Sequence, residues 1–167
     1  MQTKEALQFA LTVSDKAVMS VIDQMSDDPT KFPTPNGGCH PLWVLGHLTL
    51  IEGTIPAVLF GAENPVAGWY KHFGENSEPV DNAGVYPSFS EIRKKYIELR
   101  AKNLTLLASL SEDDLDKPTK APPQGREHEF ATFGRSFLIL AIHQAMHRSH
   151  VTDAFRAAGR TTAVLQA

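Results

Sequence analysis

Only one cysteine, Cys39, occurs in the chain, so an internal disulfide is excluded and the composition fits a reducing compartment. Basic residues are not in excess, since 16 lysines and arginines against 19 acidic residues give a net charge of −3. A protein that binds nucleic acid through phosphate contacts needs a basic surface, so that class is disfavoured. The sequence also shows no signal peptide and no run near the roughly 20 consecutive apolar residues that span a bilayer. We therefore expect a cytoplasmic protein that binds neither nucleic acid nor membranes.

Helical periodicity is what the chain has in abundance. Its 167 residues, 42% of them apolar, suit a single domain (1–167) with a sizeable core. Apolar residues recur at helical spacing in four long segments. The predicted helices run from about Thr3, as the cap, to Met25, from Pro41 to Phe60, from Ser88 to about Leu110, and from Thr132 to Gly159. The predicted fold is all-α, a four-helix bundle with long crossover connections.

Two connections rich in proline and glycine, residues 61–87 and 116–131, separate these helices. The first is unusually long for a compact domain, and such loops are often functional. Its aromatic residues Trp69, Tyr70 and Phe73 predict that it packs onto the helices, either as cover for the core or as the mouth of a pocket. Pro56 is expected to kink or shorten the second helix.

Three of the seven histidines form a candidate metal site. His143 and His147 lie four residues apart in the last predicted helix, about 40° apart in direction and about 6 Å in height, so their side chains project from one face. His47 falls on an inward-facing stripe of the second helix. Imidazoles suit zinc, nickel, copper and iron, and three protein ligands leave a position open, as in catalytic sites.

A metal-free interpretation of these histidines stays open at this point. A histidine on an apolar helix face is often a core residue with a hydrogen-bond partner, and short motifs also match by chance. Three buried imidazoles without a metal would each need such a partner, which is difficult to arrange. This favours the metal site, but the spacing does not place His47 beside the other two.

Two segments resemble motifs of the DinB-like family. LWVLGHLTLIEG is similar to its second-helix pattern W-x-x-x-H-L-x-x-x-E, and IHQAMHRSH is similar to its last-helix pattern H-x-x-x-H-R-G-Q. The resemblance implies an up-down-down-up four-helix bundle in which His47, His143 and His147 bind one divalent ion, such as zinc, nickel or iron. It also implies a homodimer that hydrolyses a small molecule or acts on it with a low-molecular-weight thiol, such as bacillithiol or mycothiol.

The sequence departs from the family pattern where Ser149 and His150 replace the glycine and the glutamine. His150 is therefore either a fourth ligand, which would close the site, or a residue at its edge. Glu52, Arg148 and His150 are the candidates for catalytic roles. Glu52 is a general base, or it lies on a solvated or salt-bridged face of its helix. Arg148 holds an anionic substrate group, or it is a helix-surface charge that pairs with Glu or Asp. Asn103 is either a partner for a histidine ring or a buried residue with a local partner.

Two classes of function follow from these patterns. In the first, the three-histidine site activates a thiol or water for transfer to, or hydrolysis of, an unidentified small molecule. This class predicts an open coordination position and a pocket lined by residues 61–87. In the second, the bundle is a non-catalytic stress-response protein that binds a metal or another ligand, and a closed site is expected. A di-iron carboxylate centre is disfavoured because no Glu-x-x-His pair falls on a predicted helix.

Overall fold

The computed structural model describes residues 1–161, and every regular element in this range is a helix. Four are long, namely α1 (Thr3–Asp23), α2 (Pro41–Phe60), α4 (Phe89–Ser109) and α5 (Phe133–Ala157), and α3 (Tyr70–Phe73) is a single turn. Short 3-10 helices cover Ala67–Trp69, Ala83–Val85 and Asp113–Asp116. The described residues contain no strand, only two isolated bridges, Thr34 to Gly37 and Pro118 to Thr132. The all-α prediction is confirmed.

Side-chain hydrogen bonds determine where two of the long helices begin. Ser88 caps α4 through a capping box, since its hydroxyl accepts from the Glu91 amide (3.2 Å) and the Glu91 carboxylate accepts from the Ser88 amide (2.9 Å). Thr132 caps α5 in the predicted way. At α1 the cap position is Gln2 rather than Thr3, and the helix ends at Asp23, two residues before the predicted Met25.

Helix α2 continues through Pro56 to Phe60, so the proline does not shorten it. Proline lacks the amide that would bind the carbonyl four residues earlier, which belongs to Glu52. The Asn103 side chain of α4 donates to that carbonyl at 2.9 Å. The helix therefore tolerates its proline because a neighbouring helix supplies the missing donor.

Helix α2 is also the core helix of the protein. His40 begins it, accepting a hydrogen bond from the Trp43 amide through Nδ1 at 3.0 Å. In the described part of the chain it is the one helix long and apolar enough to cross a membrane, with a mean hydropathy of 1.5. However, 78% of this apolar window is buried inside the protein, as is common for the core helix of a soluble fold.

The long helices pack on one another through two buried apolar clusters. Helix α1 lies mainly against α5, and α2 lies against both α4 and α5. Near the helix ends, Arg93 Nε donates to Asp23 at 2.8 Å, and the rings of Phe60 and Phe133 pack edge to face at 5.2 Å. Arg160 donates to the Gln24 carbonyl.

The connection 61–87 packs closely onto α2. Phe73 is fully buried against Gly46, where a Cβ atom would lie 2.3 Å from the Phe73 ring, so only glycine allows this approach. Trp69 packs partly buried against the same cluster. Tyr70 is 52% exposed and lines a cavity. The aromatics of this connection therefore divide between core cover and cavity wall.

Candidate metal centre

The three predicted histidines come together where α2 crosses α5. His47 Nε2 lies 3.2 Å from His143 Nε2, and His147 Nε2 lies 3.1 Å from the same atom. The ligand atoms of the three rings all lie within 4.8 Å of one another. His47 and His147 are buried, and His143 is partly buried. The spacing of His143 and His147 places both on the face of α5 that meets α2.

A backbone carbonyl fixes the tautomer of His47. Nδ1 of His47 lies 2.7 Å from the Phe73 carbonyl oxygen, which can only accept, so Nδ1 carries the proton. Burial lowers the pKa of His47, against a smaller opposing effect of the Phe73 hydrogen bond and Glu75. The ring is therefore neutral and presents an unprotonated Nε2 to the other two histidines. A histidine that binds a metal through one ring nitrogen typically donates the N–H of its other ring nitrogen to such an acceptor.

Protons alone cannot satisfy the three converging nitrogens. His143 Nε2 lies between His47 Nε2 and His147 Nε2, and it carries either one hydrogen or one lone pair. Only one of its two contacts can then be a hydrogen bond. Nδ1 of His143 and Nδ1 of His147 are also buried without a partner among the described residues. A cation at the point of convergence would bind all three lone pairs at once.

The spacing and charge state of the rings fit a divalent ion. Nitrogens that each bind one tetrahedral zinc ion at 2.0–2.1 Å lie about 3.3 Å apart, close to the observed 3.1 and 3.2 Å. Burial, His47 and Arg126 lower the pKa of His143 to about 4. Burial and the neighbouring histidines lower the pKa of His147 to about 2. The rings are thus neutral at pH 7, which ligation requires.

Glu52 lies in the interior, but it belongs to a separate polar cluster. Its side chain has no exposed surface and pairs with Arg100 of α4 at 2.9 Å. Asn103 Nδ2 donates to the other carboxylate oxygen at 2.7 Å, and Gln144 Nε2 donates to the first at 3.0 Å. These contacts match the salt-bridge interpretation of Glu52, whereas a solvated position is wrong, because α4 and α5 cover this side of α2 and bury the carboxylate. Asn103 bonds Glu52 rather than a histidine ring.

The same cluster extends to α1. The Ser14 hydroxyl donates to Gln144 Oε1 at 2.9 Å, and Gln144 Nε2 also donates to the Tyr96 hydroxyl at 2.9 Å. The Tyr96 hydroxyl in turn donates to Asp15. Gln144 thus joins α5 to the three other long helices, one residue away from His143.

The remaining candidates lie outside the histidine cluster. His150 is exposed, its ring centroid is 5.3 Å from that of His147, and it does not belong to the converging group. Arg148 is partly buried on α5 and forms no ion pair with a residue that the structure describes. It does not line the cavity beside the histidines. Catalytic roles for Glu52, Arg148 and His150 stay predictions.

A cavity of about 490 Å³ adjoins the cluster, and His47 and His143 are part of its wall. Helix α2 contributes one face, at the spacing i, i+3, i+4, i+7 and i+8 from His47. Both connections line the rest, with Asn64, Ala67, Tyr70, Gly74 and Glu75 from 61–87 and Pro123, Gln124, Arg126 and Phe130 from 116–131. The predicted pocket wall from residues 61–87 is present, and the second connection adds to it.

Comparison with protein families agrees with this geometry. The family model described as the DinB superfamily matches residues 10–151, which include all three histidines and most of the four long helices. The chain belongs to the DinB superfamily. No curated protein and no solved structure matches it.

Two supports of this DinB superfamily site were not predicted from sequence. The Trp43 ring stacks on His47, with centroids 4.8 Å apart and planes at 8°, and its Nε1 donates to Ser77 at 3.0 Å. The Phe73 carbonyl accepts the hydrogen bond from His47 Nδ1 and so fixes the orientation of the ring. The spacing of Trp43 and His47, four residues apart, was a signal for the first contact. Gly46 beside His47 was a signal that another group approaches α2 closely.

Proposed function

We propose that this DinB superfamily protein is a metal-dependent enzyme. His47, His143 and His147 would hold one divalent ion, zinc, nickel or iron. The ion would activate a thiol or water for transfer to, or hydrolysis of, a small molecule. The proposal is carried by the convergence of three neutral Nε2 atoms that protons cannot mutually satisfy, at the wall of a cavity. Three protein ligands leave a coordination position for a reactant.

The residues around the site have distinct roles in this proposal. The Phe73 carbonyl and the Trp43 ring orient His47, and burial keeps the three imidazoles unprotonated. A metal ion held in this way supplies Lewis-acid chemistry and lowers the pKa of a bound water or thiol. The cavity walls bind the small molecule and limit access of water. A low-molecular-weight thiol, such as bacillithiol or mycothiol, is the proposed second reactant.

The alternative is a non-catalytic stress-response bundle that binds a metal or another ligand. A closed site with His150 as the fourth ligand would favour it. His150 is exposed and outside the converging group, which supports the open site of an enzyme. The alternative is kept as an outcome of the test.

The first test is the metal content of untagged protein by elemental mass spectrometry. We expect near one metal per chain in the wild type and in His150→Ala, and almost none in His47→Ala. The His150 variant is the matched control because it removes an adjacent histidine outside the cluster. A wild type that binds no metal after addition of zinc, nickel or iron would contradict the proposal. Full metal content without thiol transfer or hydrolysis across a substrate screen would favour the non-catalytic alternative.

We also infer an up-down-down-up bundle in a single domain. The contact of Arg93, near the start of α4, with Asp23 at the end of α1 supports opposite directions for these helices. The packing of Phe60, at the end of α2, on Phe133, at the start of α5, supports the same relation for that pair. Arg160 after α5 contacts Gln24 after α1, which supports a common direction for α1 and α5. A cytoplasmic location is inferred from the single cysteine alone.

We infer that a second copy of the chain covers an apolar face on α1 and α5. Five large apolar side chains are exposed there at four-residue spacing, Phe9 and Val13 on α1 and Leu138, Ile142 and Met146 on α5. Their exposed area is roughly 500 Å², more than half of the ~800 Å² that each partner contributes to a standard interface. A two-fold dimer would pair this face with itself.

Sedimentation velocity tests the dimer. Met146→Glu should raise the dimer dissociation constant at least about 100-fold, because it buries an unpaired charge in the interface. Ile97→Glu is the control, since Ile97 is similarly exposed (53%) but lies on α4. A monomeric wild type, or a dimer disrupted only by the Ile97 variant, would contradict this interface.

A further inference from the structure

Most of the surface that lines the cavity beside the histidine cluster is apolar. Leu50, Ile51 and Ile55 of α2 form one side, and Phe130 and Ala67 close it from the two connections. The volume of about 490 Å³ lies within the range of small-molecule pockets. A bound molecule would therefore contact hydrocarbon surface along most of its length.

Two polar residues of this wall, Thr54 and Asn64, have no hydrogen left to donate. The Thr54 hydroxyl donates to the Leu50 carbonyl at 3.0 Å. Asn64 Nδ2 donates both of its hydrogens, to the Leu50 carbonyl and to Thr54 Oγ1, each at 3.1 Å. Asn64 Oδ1 accepts from the Val66 amide at 2.9 Å. Because these groups already satisfy one another, this part of the wall offers a ligand almost no specific polar contact.

The other polar groups of the wall are the histidines themselves and residues that water reaches. His47 and His143 line the cavity. Glu75 and Arg126 lie close enough to affect the pKa of His47 and His143, respectively. Glu75 is exposed, and the Arg126 side chain is 45% exposed and paired with Glu129. Tyr70 and Gln124 are exposed as well. Because water reaches these side chains, they contribute little binding energy, whereas the apolar part of the wall contributes most of it.

From this distribution we infer the substrate class. The cavity binds a small molecule with an uncharged alkyl or aryl body and a single polar, metal-binding head that reaches the histidines. A substrate that is polar along its whole length would leave its groups without partners beside the apolar wall and the satisfied Thr54 and Asn64, which disfavours it. The inference concerns this substrate and not the thiol proposed as the second reactant. The inference rests on the proposed metal site and adds to it the recognition of an apolar body.

Two hydroxamates test this inference on zinc-loaded protein of measured metal content. Acetohydroxamate carries only the metal-binding head, and 4-phenylbutanohydroxamate carries the same head with an apolar body. Titration calorimetry should show the second compound binding on the order of 100-fold more tightly, because its phenylalkyl group is removed from water.

Variants of the cavity wall test whether the higher affinity of 4-phenylbutanohydroxamate comes from contacts inside the cavity. Ile51→Asp places a charge on the α2 side, and Ala67→Trp fills the cavity from an exposed position where folding of the core is not at risk. Both should bring the two affinities to within a few-fold while acetohydroxamate binding is retained. Ile97→Asp, on the exposed face of α4, is the control and should leave the gain intact.

The outcomes separate this inference from the proposed function. Equal affinity for the two hydroxamates, or a gain that survives both wall variants, would overturn the apolar substrate class and leave the metal site standing. Failure of both compounds to bind protein that carries one zinc per chain would overturn the open metal site itself, and the inference with it.

Discussion

Two buried polar clusters lie side by side in this protein, and adjacent residues of α5 belong to different ones. Gln144 belongs to the cluster around Glu52, in which both carboxylate oxygens accept hydrogen bonds and the charge is balanced by Arg100. His143 belongs to the histidine cluster, in which one of two short nitrogen contacts has no proton to share and two Nδ1 atoms have no partner within residues 1–161.

The two clusters differ in how completely their polar groups are hydrogen-bonded, and this difference distinguishes a polar cluster that stabilises the fold from one that binds a ligand. In the Glu52 cluster one buried atom, Arg100 Nε, lacks a partner in the part of the chain that the structure describes, and the remaining bonds connect the four long helices. Such a network specifies how the helices meet. The histidine cluster is incomplete with protein atoms alone, and a buried polar group without a partner is costly. Its completion by a ligand is therefore the simplest physical account of why three imidazoles meet there.

The largest effect on stability is expected from a substitution in the Glu52 cluster. Glu52→Leu leaves the Arg100 guanidinium buried without its counter-charge, so we expect a loss of about 3–5 kcal/mol in the free energy of unfolding. Urea denaturation measures it. Glu98→Leu is the control, because Glu98 pairs with Lys95 and Lys102 on the solvent side of α4, and its effect should be small.

The double variant Glu52→Leu/Arg100→Leu should recover much of this loss, since it removes both charges. If Glu52→Leu proved as mild as the Glu98 variant, the buried network would not stabilise the fold as described.

The next largest effect is expected from a substitution in the histidine cluster. His147→Leu should lower metal affinity by more than the ~10–100-fold typical of losing an outer hydrogen-bond partner of a ligand. Without metal it should leave the free energy of unfolding unchanged or raise it, because a poorly satisfied imidazole becomes hydrocarbon. Competition with a chelating dye and urea denaturation of the metal-free protein measure the two quantities. His150→Leu should change neither by much, and a His147 variant with wild-type metal affinity would remove that residue from the ligand set.

A smaller effect tests how the connection 61–87 supports the histidines. Gly46→Ala forces the buried Phe73 ring to move, because the new Cβ would lie 2.3 Å from it. We expect a loss of about 1–3 kcal/mol in unfolding free energy. Displacing the Phe73 carbonyl should also weaken metal binding about tenfold. Gly68→Ala, with nothing within 4 Å of the added atom, is the control. Equal metal affinity in the two variants would show that the Phe73 contact does not support the site.

The most gradual effect is a pH dependence of the metal-free protein. The pKa of His143 is about 4 in the folded state, against about 6.5 for an unperturbed histidine. Between these values the unfolded chain binds the proton and the folded chain does not, so stability should fall as the pH falls from 6.5 towards 4. The slope is at most about 1.4 kcal/mol per pH unit for each such histidine. His143→Leu should reduce this slope, and an unchanged slope would contradict the burial of a neutral His143.

Much of this molecule follows from sequence patterns that are local. Helices α2 (Pro41–Phe60) and α4 (Phe89–Ser109) follow from apolar spacing and, for α4, from the capping box at Ser88. The pairing of His143 with His147 follows from helix geometry alone. Contacts between distant segments do not follow in this way. Spacing could not place His47 beside α5, could not show that Asn103 compensates for Pro56, and could not identify a backbone carbonyl in the long connection as the partner of His47.

The bond from His47 to the Phe73 carbonyl has a consequence for the motions of the molecule. It joins the turn around residues 70–77, where the Gly74 amide bonds Tyr70 and the Ser77 amide bonds Gly74, to a ring that an ion would hold still. Ion binding and ordering of this turn are then thermodynamically linked, so each favours the other. Hydrogen exchange at the Gly74 and Ser77 amides should therefore slow when zinc is added, although neither residue belongs to the ligand set. One wall of the cavity would thus become more rigid when the ion binds.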